Sequence, residues 1–354
     1  MTNNSIRWAF NFAKWNPSYL EMAFAFSIIQ SEEKERLMRF VFKKDVKASL
    51  LGRLMMRKFI SESTGKQYEE ILIARDDRGK PFFEEKDCPR VYFNVSHQGS
   101  FTVLAGEVGD LKLGVDVMKL EYTGGKPLNE FFTLMSKHFS LSEWDAIKDF
   151  KNEHQQIYMF CRLWCLKESY VKAVGVGITV NLGDISFKIN SKYLNKYYIN
   201  KDTELYVKGN KLDWVFEEML IDDEHCVSVA LSKNTDKDII FKQLDFEYFK
   251  QNCVPMLGDN AWSAQESDFD QYFIIDLGRV MNVTRVWTRG RPHSNEYVME
   301  YRISYGTNDL DYADYKESGG DIMVSKDKRY GCRGGFSKNN TPSRALTFIL
   351  ENLQ

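Results

Sequence analysis

Stretches of alternating apolar and polar residues give way along this chain to stretches where apolar residues recur every three or four positions. IRWAFNF (6–12) alternates and predicts a strand. Ser31 before Glu32 and Glu33 predicts a helix start, an N-cap followed by acids at the positive end of the helix dipole. Over 45–63, Val46, Leu50, Leu54 and Phe59 share one helical stripe, while Arg53, Arg57 and Lys58 project elsewhere. RGKP in IARDDRGKPFF marks a turn between two short extended pieces, and VYFNVSHQGSFTVLAGEV reads as two strands joined at QGS. In LKLGVDVMK (111–119), Leu111, Leu113, Val115 and Val117 face one way; Lys112, Gly114, Asp116 and Met118 face the other. Helical spacing follows at 128–139, 142–150 and 153–174, the last closed by Gly175. ISFKI, ELYVKG, DWVFEEML and HCVSVALS predict strands. The plan β, α, α, then β strands thus occurs twice, with a seam near residue 112: an α+β chain of two similar halves, 1–112 and 113–232.

From residue 233 the character changes. KNTDKDIIFKQLDFEYFK is charged and reads as a linker (233–252), and residues 253–354 are strand-rich with glycine-bearing turns, a separate β module. A length of 354 residues suits two or three domains, and 43% hydrophobic residues suffice for packed cores. A net charge of −2 argues against bulk nucleic-acid binding. The start MTNNSIRWAFNFAKW lacks a signal-like basic and apolar block, and no run reaches the ~18 apolar residues of a membrane span, so a cytosolic, non-membrane protein is expected. The six cysteines form no CxxC pair and no zinc spacing, which reads as buried free thiols in a reducing compartment.

The candidate chemistry begins with WCLKESYVKA (164–173), a charged insert in an otherwise apolar and aromatic helix. Glu168 and Lys172 are four apart, so a surface ion pair is the commonest reading. Trp164, Tyr170, Val171 and Val174 leave that helix little circumference for solvent, which weakens it. Asp116 interrupts an alternating strand beside Gly114, a residue that permits close backbone approach. A strand Asp and a helix Glu can build a Mg²⁺ site, with waters and phosphate oxygens completing the shell. AVGVGI (173–178) is not a dinucleotide-binding loop: it lacks the third glycine and follows a helix.

GVD at 114–116 followed some fifty residues later by W-x-x-K-E-S-x-x-K resembles the two-part signature of the Sfp-type 4′-phosphopantetheinyl transferases. The resemblance extends over about residues 5–232 through RWAF, EEKER, GRLMMRK, RGKP and FNVSHQG, and is nearest to the animal cytosolic branch. It implies two α/β halves about a pseudo-twofold axis, with coenzyme A in the cleft. It implies transfer of the 4′-phosphopantetheine arm to a serine of apo acyl-carrier or peptidyl-carrier domains: those of fatty acid synthase, acyl carrier protein and the aminoadipate-reducing enzyme. By the same resemblance Asp116 and Glu168 match Mg²⁺ ligands, Glu168 also the base, and Lys172 the lysine that steadies phosphate and Glu168. Arg36, Arg75 and Lys80 match CoA contacts, with Asp76, Asp77, Arg78 and Gly79 passing along the adenosine. Asn94, Val95, Ser96 and His97 match the phosphate-binding segment, and the SHQG context favours that reading of His97 over a core histidine. Met118 stands where many bacterial members carry a third carboxylate, leaving the third ligand to water or Gln98. The family form resembled is monomeric.

WSAQ, QYFIIDLG, VTRVWTRGR and YVMEYRISY resemble a discoidin (coagulation factor 5/8 type C) domain, and CVPMLG its opening. The pattern looks incomplete at both ends, and DIMVSKDKRYGCRGGFSKNNTPSRALTFILENLQ carries no legible motif. A fused remnant is favoured over an adhesion or targeting module. The sequons at Asn94 and Asn282 do not decide location. Two functions compete: a Mg²⁺-dependent transferase, and a glycan- or lipid-binding protein that uses the tail beside an inactive scaffold. Retention of Asp116, Glu168 and Lys172 favours the enzyme.

Overall fold

The computed structural model describes residues 5–175, 181–235 and 237–250, and beyond these only short strands between 262 and 351. The chain divides into two units, residues 1–17 with 28–254, and residues 18–27 with 255–354.

In the first unit, β1 (Ile6–Asn11) is followed by α2 (Ser31–Leu37) and the 22-residue α3 (Lys43–Thr64); α1 (Tyr19–Ser27) belongs to the second unit. A small hairpin, β2 (Ala74–Arg75) and β3 (Pro81–Phe82), precedes the long hairpin β4 (Val91–Gln98) and β5 (Phe101–Val108). β5 lies antiparallel to β1. The plan then repeats. β6 (Leu113–Lys119) leads to α4 (Leu128–Met135), α5 (Leu141–Lys148) and the 22-residue α6 (Glu153–Val174). A three-stranded sheet of β7 (Ile185–Lys188), β8 (Glu204–Val207) and β9 (Asn210–Leu212) follows, then the hairpin β10 (Val215–Leu220) and β11 (His225–Leu231), with β11 antiparallel to β6. In each half the second hairpin strand therefore pairs with the half's opening strand. The duplicated α+β plan read from the sequence is the observed one.

The local chemistry explains the elements. α5 opens with a capping box: the Glu143 N–H donates to Ser140 Oγ, and Ser140 N–H donates to Glu143 Oε2 at 2.8 Å. Asn152 caps α6 through the Gln155 N–H at 2.8 Å. The Ser31 cap does not form; Gln30 stands at that position without a side-chain cap bond, and Glu33 is turned to another task. Leu113, Val115 and Val117 enter one core, while Gly114 lets α6 come onto β6. A Cβ at Gly114 would lie 2.1 Å from the Ser169 carbonyl oxygen, so only glycine fits.

The two halves share buried charges. Arg7 on β1 pairs with Glu107 of β5 and with Glu217 of β10, each at 2.7 Å. Removing one member would strand an ion in the interior, at about 3–5 kcal/mol.

The expected linker is a correction. Residues 237–250 fold back on the first half: β12 (Lys242–Gln243) adds parallel to β1, and α7 (Glu247–Lys250) follows. Phe241, Leu244, Phe246 and Phe249 are buried, with Phe246 stacked on Trp15 and Phe249 beside Phe10. These apolar residues sit at uneven spacings among lysines and aspartates, so neither a helical nor a strand period shows, and the charges dominate the reading.

In the second unit, Ala345–Glu351 pairs antiparallel with Trp262–Ser263 and with Arg285–Arg289. Glu300–Arg302 pairs with Val324–Lys326, and Ser304–Tyr305 with Ala313–Asp314. The described part is β-rich; Asn282, Cys253, CVPMLG and most of the tail motifs lie outside the described residues.

Candidate active site

Three charges on α6 have three different surroundings. Lys167 is fully buried, pairs with Glu143 at 2.9 Å, and donates to the carbonyls of Leu182 and Ile185. Burial lowers its pKa while Glu143 opposes that shift. Lys167 is a structural strut, tying α6 to α5 and to the start of β7. Lys172 reaches across to β6, donating to Asp116 Oδ1 at 2.6 Å, Ser96 Oγ at 2.8 Å and the Val115 carbonyl at 3.3 Å. It does not pair with Glu168, so the four-residue spacing is not used as an ion pair. Glu168 is half-buried and forms no hydrogen bond or ion pair among the described residues. Burial, and then the nearby Asp116 charge, push its pKa above the ordinary carboxylate range.

β4 and β6 meet through side chains. The alternation of β4 sets Asn94, Ser96 and Gln98 on one face, and each bonds to β6. Asn94 Oδ1 accepts from Val115 N–H at 2.9 Å, Ser96 Oγ donates to Asp116 Oδ1 at 2.7 Å, and Gln98 Oε1 accepts from Lys119 N–H at 2.5 Å. Asn94 is thus buried and engaged, which leaves its sequon no room for a glycan. The opposite face carries Val95, in contact range of α3 at Gly52, and His97. Crowding by the surrounding protein, and then Lys172, hold His97 below the ordinary histidine pKa; Asp45 and Arg53 of α3 are also close enough to act on it.

The β2–β3 turn is shaped by its own residues. Asp76 Oδ1 accepts from the N–H groups of Arg78 and Lys80, and Gly79 takes the left-handed φ of 81° that closes the turn. Arg78 donates to the Gly175 carbonyl, and Lys80 to the Lys172 carbonyl at 2.9 Å, so the turn holds the C-terminal end of α6. Burial lowers the Lys80 pKa. Asp77 is exposed.

A third cluster was not singled out in the sequence. Glu33 of α2 is buried and receives Arg75 on both oxygens, Nε at 2.8 Å and Nη2 at 2.9 Å, and Arg53 Nε at 2.6 Å. Arg36 stands 3.9 Å away with its side chain half exposed. Burial pushes the Glu33 carboxyl up, but Arg75 and Arg53 outweigh it and hold it below the ordinary range. The available signal was an arginine within a buried helical run; the apolar stripe of α3 hid it.

Asp116, Ser96, Lys172 and Glu168 therefore converge where β4, β6 and α6 meet, with His97 and Lys80 alongside. Asp116 and Glu168 are close enough to perturb each other, and Glu168 has no hydrogen-bond or ion-pair partner among the described residues, so this oxygen pair fits a hard divalent cation. Met118 supplies no oxygen; it packs with Leu120 and Tyr158 against buried Cys165 and Cys226. Among the described residues no group of three or more His, Cys, Asp or Glu could hold a metal ion.

The chain matches two family profiles in succession: 4′-phosphopantetheinyl transferase, N-terminal, over residues 13–109, and the 4′-phosphopantetheinyl transferase superfamily over 112–230. It is 36% identical over 287 residues to an L-aminoadipate-semialdehyde dehydrogenase-phosphopantetheinyl transferase of Xenopus laevis, covering 75% of this chain and 95% of that protein. It is 41% identical over 232 residues to the Homo sapiens protein of the same name, covering 64% and 75%. To a 4′-phosphopantetheinyl transferase of Aneurinibacillus migulanus it is 28% identical over 210 residues, covering 59% and 78%. Residues 244–343 match the F5/8 type C domain, so most of the stretch without a legible motif falls inside that match.

Proposed function

Because this chain belongs to the 4′-phosphopantetheinyl transferase superfamily, we propose that it moves the 4′-phosphopantetheine arm of coenzyme A onto a serine of apo acyl-carrier domains through Asp116, Glu168 and Lys172. The observation that carries the residue assignment is the unpartnered, half-buried Glu168 facing the Asp116–Lys172 pair. Glu168 accepts the proton of the carrier serine hydroxyl. The serine oxygen then bonds to the β-phosphorus of CoA, and the bond from that phosphorus to the bridging oxygen breaks. Adenosine 3′,5′-bisphosphate leaves with the bond's electron pair. Lys172 and Ser96 hold Asp116, and the Lys172 ammonium sets a positive charge where a phosphate oxygen would lie. A divalent cation such as Mg²⁺ held by Asp116 and Glu168 supplies charge neutralisation for the diphosphate. The β2–β3 turn, 75–80, borders the nucleotide, and Lys80 and Arg78 keep it against α6.

Carrier domains of fatty acid synthase, acyl carrier protein or aminoadipate-semialdehyde dehydrogenase are the substrates that the relatives and the resemblance suggest. We place the reaction in the cytosol, carried out by a monomer; among the described residues no helix is long and apolar enough to cross a membrane. Mass spectrometry of an apo carrier domain incubated with the protein, CoA and Mg²⁺ tests the reading. The carrier gains the mass of the pantetheine arm on one serine; an unchanged carrier mass rejects it.

A further inference from the structure

We propose that His225 is a positioning residue for the site: through the β4–β5 turn it keeps β4, and with it Ser96, seated on β6 beside Asp116. The inference rests on the reading that Asp116 and Glu168 hold a divalent cation. β4 and β6 are end strands of separate sheets, and side chains join them. The joining groups come at every second residue. Asn94, Ser96 and Gln98 bond to Val115, Asp116 and Lys119, and the next position in the row is Ser100, inside the turn. There the direction reverses. Ser100 N–H donates to His225 Nε2 at 3.1 Å, so a side chain of the second half accepts from the backbone of the first. His225 opens β11 opposite Lys119, whose N–H donates to Gln98 Oε1 at 2.5 Å. The last two bonds of the seam are thus anchored on one cross-strand pair.

The fit is particular to histidine. Nδ1 lies 2.8 Å from Asp222 Oδ1 and Nε2 accepts, so the ring proton sits on Nδ1 and points at that carboxylate. Asp222 Oδ1 also accepts from Glu224 N–H at 2.9 Å, which holds in place the group that sets the tautomer. The ring is buried and meets Phe101 edge-on, with centroids 5.0 Å apart. The turn lies directly on it. Gly99 has a φ of 62°, and a Cβ there would stand 2.3 Å from Nε2 and 2.9 Å from the Lys119 Cβ, so the conformation and the approach both require glycine. Without the acceptor, the Ser100 N–H would face a packed side chain that offers it no bond, which favours movement of the turn away from β11. Gln98 and Ser96 would follow along the strand. Ser96 and Lys172 are the side chains that donate to Asp116 Oδ1, so the displacement reaches the carboxylate pair without His225 touching it.

The test compares the full chain with three variants. His225→Gln keeps an acceptor oxygen at the reach of Nε2. His225→Leu keeps bulk without an acceptor. Asp222→Ala, at a partly exposed position, leaves the ring but frees its tautomer, and carries the comparison if His225→Leu fails to fold. Hydrogen exchange at the Ser100 amide reads the bond itself, and paramagnetic-resonance titration of Mn²⁺ in the presence of CoA reads the site. Ser100 should be protected in wild type and His225→Gln, about three- to tenfold less in His225→Leu, and by an intermediate factor in Asp222→Ala, the scale of one hydrogen bond. Mn²⁺ affinity and kcat should fall in the same order, with KM for CoA within about twofold of wild type. Equal exchange at Ser100 in wild type, His225→Leu and Asp222→Ala overturns the proposal. Protection lost while Mn²⁺ affinity and kcat stay at wild type overturns the positioning role, as does a His225→Gln chain no better than His225→Leu. A wild-type chain with a protected Ser100 that binds no Mn²⁺ overturns the cation reading and the positioning role that rests on it, while leaving the bond to the turn intact.

Discussion

α3 and α6 each run 22 residues, and each ends at a glycine with φ of 74°, Gly65 and Gly175. Eight residues before that glycine each helix carries a fully buried cation, Arg57 and Lys167. Each cation binds backbone carbonyls of the segment that follows its helix: Tyr68 and Ile71 for Arg57, Leu182 and Ile185 for Lys167. One residue later come Lys58 and Glu168, and four beyond those Glu62 and Lys172, with the charges exchanged. In α3 the two pair with each other at 3.4 Å, and Glu62 also accepts from the Tyr248 hydroxyl of α7. In α6 they part: Lys172 crosses to Asp116, and Glu168 stands unpartnered. The scaffold is the same; what lies beside it differs. The free edge of β1 is closed by β12, whereas the edge of β6 faces the side chains of β4. One half spends that edge on stability and the other on a site.

The strongest test of this contrast removes the carboxylates. Asp116→Ala should behave like a chelator, with transfer falling below detection in both cases, as read by carrier mass; transfer that persists in chelator rules out the two-carboxylate site. Glu168→Gln should lower the transfer rate by at least ~10²-fold, the usual scale for a lost general base, with CoA binding little changed.

Next in size is the strap. Phe249→Ala should cost about 3–5 kcal/mol in denaturant unfolding, the scale for emptying a buried phenylalanine site. A chain ending at residue 235 loses Phe241, Leu244, Phe246 and Phe249 together, and should melt well below the full first unit. If that truncation keeps its melting temperature, the strap is a linker after all.

A smaller effect follows from the raised Glu168 pKa. The folded protein holds that proton more tightly than the unfolded chain, so this group's contribution to stability is greatest at low pH. It is lost as pH rises from the ordinary carboxylate range through the folded value. Glu168→Gln should therefore raise the metal-free melting temperature at pH 7, with the gain shrinking toward pH 4. The smallest effect belongs to the carboxylate of the matching α3 pair: Glu62→Gln should leave transfer within about twofold of wild type and cost ~1 kcal/mol or less.

The repeated plan was legible because strand alternation and helix spacing are local, and Asp116, Glu168 and Lys172 sit in a motif with a long, specific gap. What separates Lys167 from its neighbours was not legible. Its partner Glu143 lies on another helix and its carbonyls on a later loop, and only packing brings them together. Glu33 and Arg53 escaped for the same reason: each reads as an ordinary helix charge until α2, α3 and β2 are brought together around one carboxylate. Arg75 and Lys80 were found through their motif, but their contacts show them holding the turn and α6.

Asp116 and Glu168, alone among the duplicated positions, should hold a divalent cation in the presence of CoA. A paramagnetic-resonance titration of Mn²⁺ against the full chain with CoA measures this directly. The wild-type chain should bind one Mn²⁺, with Asp116→Asn and Glu168→Gln each losing most of that binding and Glu62→Gln retaining it. Mn²⁺ binding by Asp116→Asn and Glu168→Gln equal to wild type would contradict the claim.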